Sequence, residues 1–352
     1  LLIARYAVPK HKLDAKDINT ETQDIGGHGS VTEKYTFEII QRINHEGEIN
    51  KARYMPQNPD IIASMGPAGT VHIFDRSKHE SFPSNDIVNP QIQLVGHEQE
   101  GFGLSWNPIK EGILATGSGD TTVRIWDIKD YKSEGSHDIK ATNIFTHHTA
   151  TVNDVDWHHH HYNILASVSD DLKLAIVDTR SNDSSKATVS VATAHRDAVN
   201  CVAWNPHPRF EWILATGSAD GSIGIWDARY LKNGEKVMSL EDHSQGVVRL
   251  DWNPQDPSIL TSGGVDRRIN YWDISQPGSE QSPEEAEDGP PELVFKHAGF
   301  LDQVNDYNFS KHNQFMIAAV ADDNQLQIFD PLRRLITPDV FQKDAKMSDI
   351  EE

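Results

Sequence analysis

The sequence holds one cysteine, Cys201, in 352 residues. No internal disulfide is possible, so the fold must rest on packing, and the usage fits a reducing compartment. Cys201 lies in a strand-like run and reads as a small buried hydrophobe. No apolar stretch approaches the length of a membrane span. The opening Leu1-Leu2-Ile3-Ala4-Arg5-Tyr6 is too short for a secretory leader. Basic charge is scarce: 32 Lys and Arg stand against 53 Asp and Glu, a net charge of −21. Such a chain repels a phosphate backbone and attracts basic proteins, so a protein partner is expected and direct nucleic-acid binding is not.

Chemical signatures are equally sparse. There is no Walker sequence and no dinucleotide fingerprint. Gly26-Gly27-His28-Gly29 looks like an oxyanion glycine loop, but no G-x-S-x-G accompanies it. The run His158 to His161 lies in a turn and lacks the spaced geometry of a metal site. No catalytic residue, no metal and no cofactor is expected.

What the chain does contain is a repeat. Between Ala194 and Asp227 it reads A-H, V-N-C-V-A-W-N-P, I-L-A-T-G-S-A-D-G and S-I-G-I-W-D. The pattern returns from His97 to Trp126-Asp127, His148 to Val177-Asp178 and His243 to Trp272-Asp273. Weaker copies run from His45 to Phe74 and from His297 to Phe329. The gap from the His to the W position is 29 residues after His97 and 32 after His297, the widest case. A fixed period of this size denotes an array of small supersecondary units closed into one body.

Each unit predicts four antiparallel strands. In the copy starting at His195 these are Val199 to Trp204, Ile213 to Ser218, Ser222 to Trp226 and a weaker outer strand near Lys236 to Leu240. Asn205-Pro206 breaks the first from the second. Ala219-Asp220-Gly221 makes a tight turn in which glycine accepts positive φ. Such a unit is one blade of a β-propeller. His195, Thr216, Asp220 and Trp226 have the spacing of a WD-repeat tetrad, a hydrogen-bond chain from the inter-blade loop to the hairpin turn. His97, Thr116, Asp120 and Trp126 form a second set, and His243, Ser262, Asp266 and Trp272 a third. His, Asp and Ser/Thr together imitate a catalytic triad, but recurrence in several blades marks them as structural. The degenerate copies have Val177 for Trp and Ala68 for Asp.

The expected fold is therefore all-β, a WD-repeat β-propeller over residues 1–336 with a polar tail over 337–352. Leu1 to Val8 is a strand with no repeat of its own. It reads as part of a seventh blade truncated in this chain; the other reading is a ring closed with six blades. Insertions on such a scaffold tend to carry function. His11 to Glu33, Ser77 to Pro90 and Ser181 to Lys186 are polar loops. The insertion over 276–291, Q-P-G-S-E-Q-S-P-E-E-A-E-D-G-P-P, carries five acids and no base, with an apolar strand, Glu292 to Phe295, directly behind it. An acidic rim beside apolar residues suits a basic amphipathic helix. Pro331 to Ile336 is expected to form a short helix with Leu332, Leu335 and Ile336 as its apolar face.

Three segments narrow the reading: Asn44 to Pro59 (N-H-E-G-E-I-N-K-A-R-Y-M-P-Q-N-P), Glu100 to Pro108 (E-G-F-G-L-S-W-N-P) and Glu280 to Leu293. In these the chain closely resembles the histone-binding WD-repeat proteins of the retinoblastoma-binding type, over nearly its whole length. That family includes histone acetyltransferase and chromatin assembly factor subunits and fungal loaders of centromeric histone. The resemblance implies a non-catalytic histone chaperone, found in the nucleus and also the cytoplasm. It would bind histone H4 and the H3–H4 dimer and serve such chromatin complexes. The first helix of H4 would lie in a side groove between a long N-terminal helix, which this sequence does not include, and the acidic loop. Glu284, Glu285, Glu287 and Asp288 would face it, with Glu285 and Asp288 pairing histone arginines. Gly289 would offer a carbonyl, and Phe295 and Leu335 would line the floor. Lys296 departs from an apolar position there. A second implied site, on the top face, takes a basic peptide such as the histone H3 tail; Glu48, Asn50, Glu100, Asn200 and Asp322 match it, and Phe102 belongs to it with Phe in place of Tyr. Asn153, Gly246, Val248, Lys51 and Phe102 depart from the family pattern, and fewer carboxylates weaken a peptide held by Lys or Arg. The alternative is a substrate receptor of a cullin-type ubiquitin ligase, for which Trp226-Asp227-Ala228-Arg229 supplies the W-D-x-R pattern and Asp178-Thr179-Arg180 a partial copy.

Overall fold

A computed structural model of the chain describes residues 1–7, 36–129, 138–181, 183–281 and 289–331. Two strands, β1 (Leu2–Ala7) and β2 (Thr36–Arg42), form an antiparallel pair. The first blade holds β3 (Lys51–Met55), β4 (Asn58–Met65), β5 (Val71–Asp75) and β6 (Ile92–Leu94). The second begins with β7 (Gly101–Trp106), β8 (Ile113–Ser118) and β9 (Val123–Asp127). From there β10 (Asp138–Ile139) crosses back to pair in parallel with β6, and β11 (Asn143–Phe145) completes the second sheet. The third blade is β12 (Val152–Trp157), β13 (Ile164–Ser169), β14 (Leu174–Asp178) and β15 (Val189–Val191). The fourth is β16 (Val199–Trp204), β17 (Ile213–Ser218), β18 (Ser222–Asp227) and β19 (Met238–Glu241). The fifth is β20 (Val247–Trp252), β21 (Ile259–Gly264), β22 (Ile269–Asp273) and β23 (Leu293–His297). The last has three strands, β24 (Val304–Phe309), β25 (Ile317–Ala321) and β26 (Leu326–Phe329).

The fourth blade follows the sequence expectation nearly residue for residue, and Gly221 takes φ +84° in the predicted turn. The blade count differs: among the described residues six blades are present, one below the seven expected of the parent fold. The extra strand is present as β1, but with β2 alone beside it the pair makes a two-stranded sheet rather than a blade. β2 leans on the first blade: the Arg42 amide donates to the Ser81 carbonyl (2.8 Å) and Gln41 Nε2 to the Arg76 carbonyl (2.9 Å).

Among the described residues the apolar core is divided between the joints rather than gathered at the centre. Five apolar clusters each span one joint between consecutive blades, as where Leu104 and Trp106 of the second blade meet Ala63, Met65 and Ile73 of the first. The second strands are built of small residues because the next blade lies against them. A Cβ on Gly117 would stand 2.6 Å from Val152 Cγ1, and one on Gly217 2.6 Å from Val247 Cγ1. Hydrogen bonds lock the joints. Trp106, Trp157 and Trp252 donate Nε1–H to the carbonyls of Arg53, Ser105 and Ala203 in the preceding inner strand, at 3.0–3.1 Å. Asn107, Asn205 and Asn253, each ending or following an inner strand, donate Nδ2–H to the carbonyls of Tyr162, Pro257 and Gln314 in the following blade.

The histidine run fits this scheme. Asn107 Oδ1 accepts from the amides of Ile109 (3.0 Å) and Lys110 (2.8 Å); in the next blade His158 Nδ1 accepts from those of His160 (3.0 Å) and His161 (3.2 Å). His158 is an asparagine substitute. Burial and the neighbouring histidines lower its pKa to about 3, so Nδ1 keeps its lone pair for those amides.

The tetrads form as buried chains. Trp126 Nε1–H donates to Thr116 Oγ1 (2.8 Å), which meets His97 Nε2 (2.7 Å), while His97 Nδ1 meets Asp120 (2.8 Å). Trp272, Ser262, His243 and Asp266 repeat it. In the fourth blade the expected direct contact is relayed: His195 Nδ1 meets Ser222 Oγ (2.8 Å), whose hydroxyl donates to Asp220 (2.6 Å), and His195 and Asp220 stay 3.9 Å apart. The third blade, where Val177 leaves no indole, replaces it with His147, whose Nε2 lies 2.9 Å from Ser167 Oγ beside His148 Nε2 at 2.9 Å. Thr216→Val would strand both Trp226 Nε1–H and His195 Nε2. The expected loss is about 1–3 kcal/mol for each stranded group, read as a lower denaturation midpoint, with Thr216→Ser close to wild type.

Candidate interaction surfaces

The inner strands begin with a bulge in five blades, so that one extra residue turns up onto the top face: Phe102, Asn153, Asn200, Val248 and Asn305. Asn153 and Asn200 reach the next blade from these bulges, and Asn50, just ahead of β3, does the same. Asn50 Nδ2 donates to the Gly101 carbonyl (3.2 Å), Asn153 Nδ2 to that of Val199 (3.0 Å) and Asn200 Nδ2 to that of Val247 (2.9 Å). Two of the residues matched to the peptide site, Asn50 and Asn200, are thus also joints of the ring.

The loops around these bulges bring the remaining matched residues together. Glu48, Glu100 and Asp322 are exposed, and Phe102 is 38% exposed beside Glu100. Asp170, Asp197 and Asp302, which the sequence reading did not single out, stand exposed on the same rim. Among the described residues no Lys, Arg or His forms an ion pair with any of these six acids. Asp322 is positioned by Gln303 Nε2 (2.7 Å) and by Asn305 Nδ2.

The channel below is different. Alternate inner-strand residues face its axis and pair across it. Lys51 Nζ lies 2.6 Å from Asp154, two blades away. Arg53 holds Asp306 through both amino groups (2.6 and 2.9 Å), and Arg249 Nε lies 3.3 Å from the same carboxylate. Burial pushes Asp306 up, but Arg53 and Arg249 outweigh it and hold it well below the usual carboxylate range. Asp156 has no cation at hydrogen-bond distance; it accepts from Ser105 Oγ (3.1 Å) and the Trp204 amide (2.9 Å), and burial raises its pKa to about 7. Burial also raises Asp251. The sequence reading passed over this lattice. Its signal was there, in charges at every second position of strands otherwise rich in apolar residues: Lys51 and Arg53, Asp154 and Asp156, Arg249 and Asp251. Cys201 is buried as expected, with its thiol pKa pushed up by burial.

Of the side-groove residues, Glu284, Glu285, Glu287, Asp288 and Leu335 lie outside the described residues, as do Leu332, Ile336 and the tail. Gly289 has φ +135°, and its carbonyl accepts from Gln281 Nε2 (3.1 Å). Phe295 is half-buried, edge-on to Tyr271 at 5.5 Å. Lys296 is tied to Asp242 (2.8 Å), which also accepts from Asn270. On the outer rim Arg229 folds back onto Asp227 (2.6 Å) and Arg180 onto Asp178 (2.7 Å), both arginines more than half exposed.

Blade architecture, tetrads and a polar-lined channel define a WD-repeat β-propeller, a fold that typically serves as a non-enzymatic interaction scaffold. Residues 89–127, 139–178, 187–227 and 234–273 match the family model for the WD domain, G-beta repeat. These WD40 repeats indicate a WD-repeat family, whose domains mediate protein–protein interactions.

Asp156 predicts a pH effect. Its folded pKa of about 7 lies above the unfolded value near 3.9, so both states are protonated at low pH. As pH rises from about 4 to 7 the unfolded state ionises first, and stability falls. Asp156→Asn removes that cost. In urea titrations the variant should gain on wild type between pH 4.5 and 8, by on the order of 3 kcal/mol.

Proposed function

We propose that this protein is a non-catalytic histone-binding scaffold of nuclear chromatin complexes, with partners among histone H4, the H3–H4 dimer and acetyltransferase, assembly or centromere-loading subunits. The observation that carries the proposal is the rim of Glu48, Glu100, Asp170, Asp197, Asp302 and Asp322, exposed and unpaired with basic side chains, around half-exposed Phe102. A basic peptide laid over it gains charge-assisted hydrogen bonds, and its alkyl stems gain an aromatic surface. The net charge of −21 steers such a partner at long range. The side groove is the proposed seat of the H4 helix, on the strength of the sequence resemblance and the acids at 284, 285, 287 and 288.

The ligase-receptor alternative has one observation in its favour, the paired Asp227–Arg229 and Asp178–Arg180 on the outer rim. Pulldown of a cullin adaptor, lost on Arg229→Ala, would establish it.

Calorimetric titration separates the two histone sites. Glu48→Gln with Glu100→Gln and Asp322→Asn should weaken an H3-tail peptide about tenfold or more, as the loss of one charged hydrogen bond alone is worth about 1.5–3 kcal/mol. Glu285→Lys with Asp288→Lys should do the same for an H4 first-helix peptide. Both affinities should fall with added salt. Unchanged affinity in a charge variant sinks the corresponding site.

A further inference from the structure

Rim and channel carry the same kind of group in opposite states. The rim acids have no basic partner among the described residues, whereas the channel acids are answered from within. Asp154 is 3% exposed and bonded to Lys51; Asp306 takes Arg53 on both oxygens and Arg249 on one side. Asp156 and Asp251, deeper along the same strands, are satisfied by backbone amides with Ser105 and Asn308. A lysine or arginine entering from above would meet Asp306 already held by Arg53 and Arg249, and to pair with Asp154 it would have to evict Lys51 from a 2.6 Å contact. Like-charge juxtaposition of this kind is how an interface rejects a wrong binding mode.

We propose that Lys51, Arg53 and Arg249 are specificity determinants: they occupy the channel from within, so that a basic partner is read by the rim acids across the top face and inserts no side chain into the channel. The proposal rests on the basic-partner reading above and narrows it to one binding mode. It selects partners whose positive charges are spaced along a strand or helix over one whose affinity depends on a single buried Lys or Arg.

Two measurements test it. The first is calorimetric titration of a basic H3-tail peptide. Asp154→Asn should leave its affinity within twofold of wild type, while Glu48→Gln with Glu100→Gln and Asp322→Asn lowers it tenfold or more. A tenfold loss on Asp154→Asn overturns the proposal. The second needs no peptide. Lys51→Met leaves Asp154 without its cation, and n-butylammonium chloride should raise the melting temperature of that variant above a sodium chloride control, with no such rise for wild type. Equal stabilisation of wild type shows the channel open to an external ammonium and overturns the proposal. If no basic peptide binds wild type at all, the functional reading falls, and the butylammonium comparison still decides the channel. Should Lys51→Met fail to fold, the Asp154→Asn titration decides alone.

Discussion

A four-stranded sheet with an apolar face on each side cannot stand alone in water. Everything else in this molecule follows from how each blade covers the next. The inner strand of one blade lies against the second strand of its neighbour, and where they approach most closely, as at Gly117 and Gly217, a larger side chain would push the neighbour off. The approach is close enough that indole, carboxamide and imidazole groups reach across it and bond the adjacent backbone. Affinity between blades thus comes from apolar area, and register from hydrogen bonds that can be made in only one alignment.

The tetrads belong to this economy rather than to chemistry. Each ties the loop entering a blade to the hairpin turn between that blade's second and third strands, and so fixes where its inner strand starts. The third blade shows that the hydrogen bond matters more than the residue: with valine in the tryptophan position, His147 comes in from a different place in the chain and reaches the same serine hydroxyl. His158 makes the parallel point for asparagine. The loops are under less constraint: acids such as Glu48 and Glu100 stand exposed there with no basic side chain paired to them among the described residues.

The repeating parts were legible in the sequence, because periodic spacing and turn residues are local signals. The strands of the fourth blade, the Gly221 turn and two of the three tetrads needed no three-dimensional information. The relay through Ser222 was not legible, since nothing in the spacing distinguishes a 2.8 Å contact from a 3.9 Å one. The channel lattice was missed for a deeper reason. Arg53 and Asp306 are 253 residues apart, and their pairing exists only because the ring brings the two ends of the array together. For the candidate top-face site, family likeness names Glu48, Glu100 and Asp322, which stand exposed, but not Asp170, Asp197 and Asp302; and the joint made by Asn200 depends on a bulge that no pattern announces.

Six blades in a circle need six joints, and five of these are apolar. Between the last blade and the first, the described contacts are polar: the Arg53 fork on Asp306, and Lys311 Nζ over the Tyr54 ring at 4.9 Å, with the open edges of β26 and β1 as the outermost strands of their sheets. A closed loop whose links differ in kind has a weakest link fixed in place. Thermal breathing is therefore expected to be polarised: in hydrogen exchange the first and last blades should lose protection soonest, and the third and fourth, farthest from the seam, should keep theirs longest.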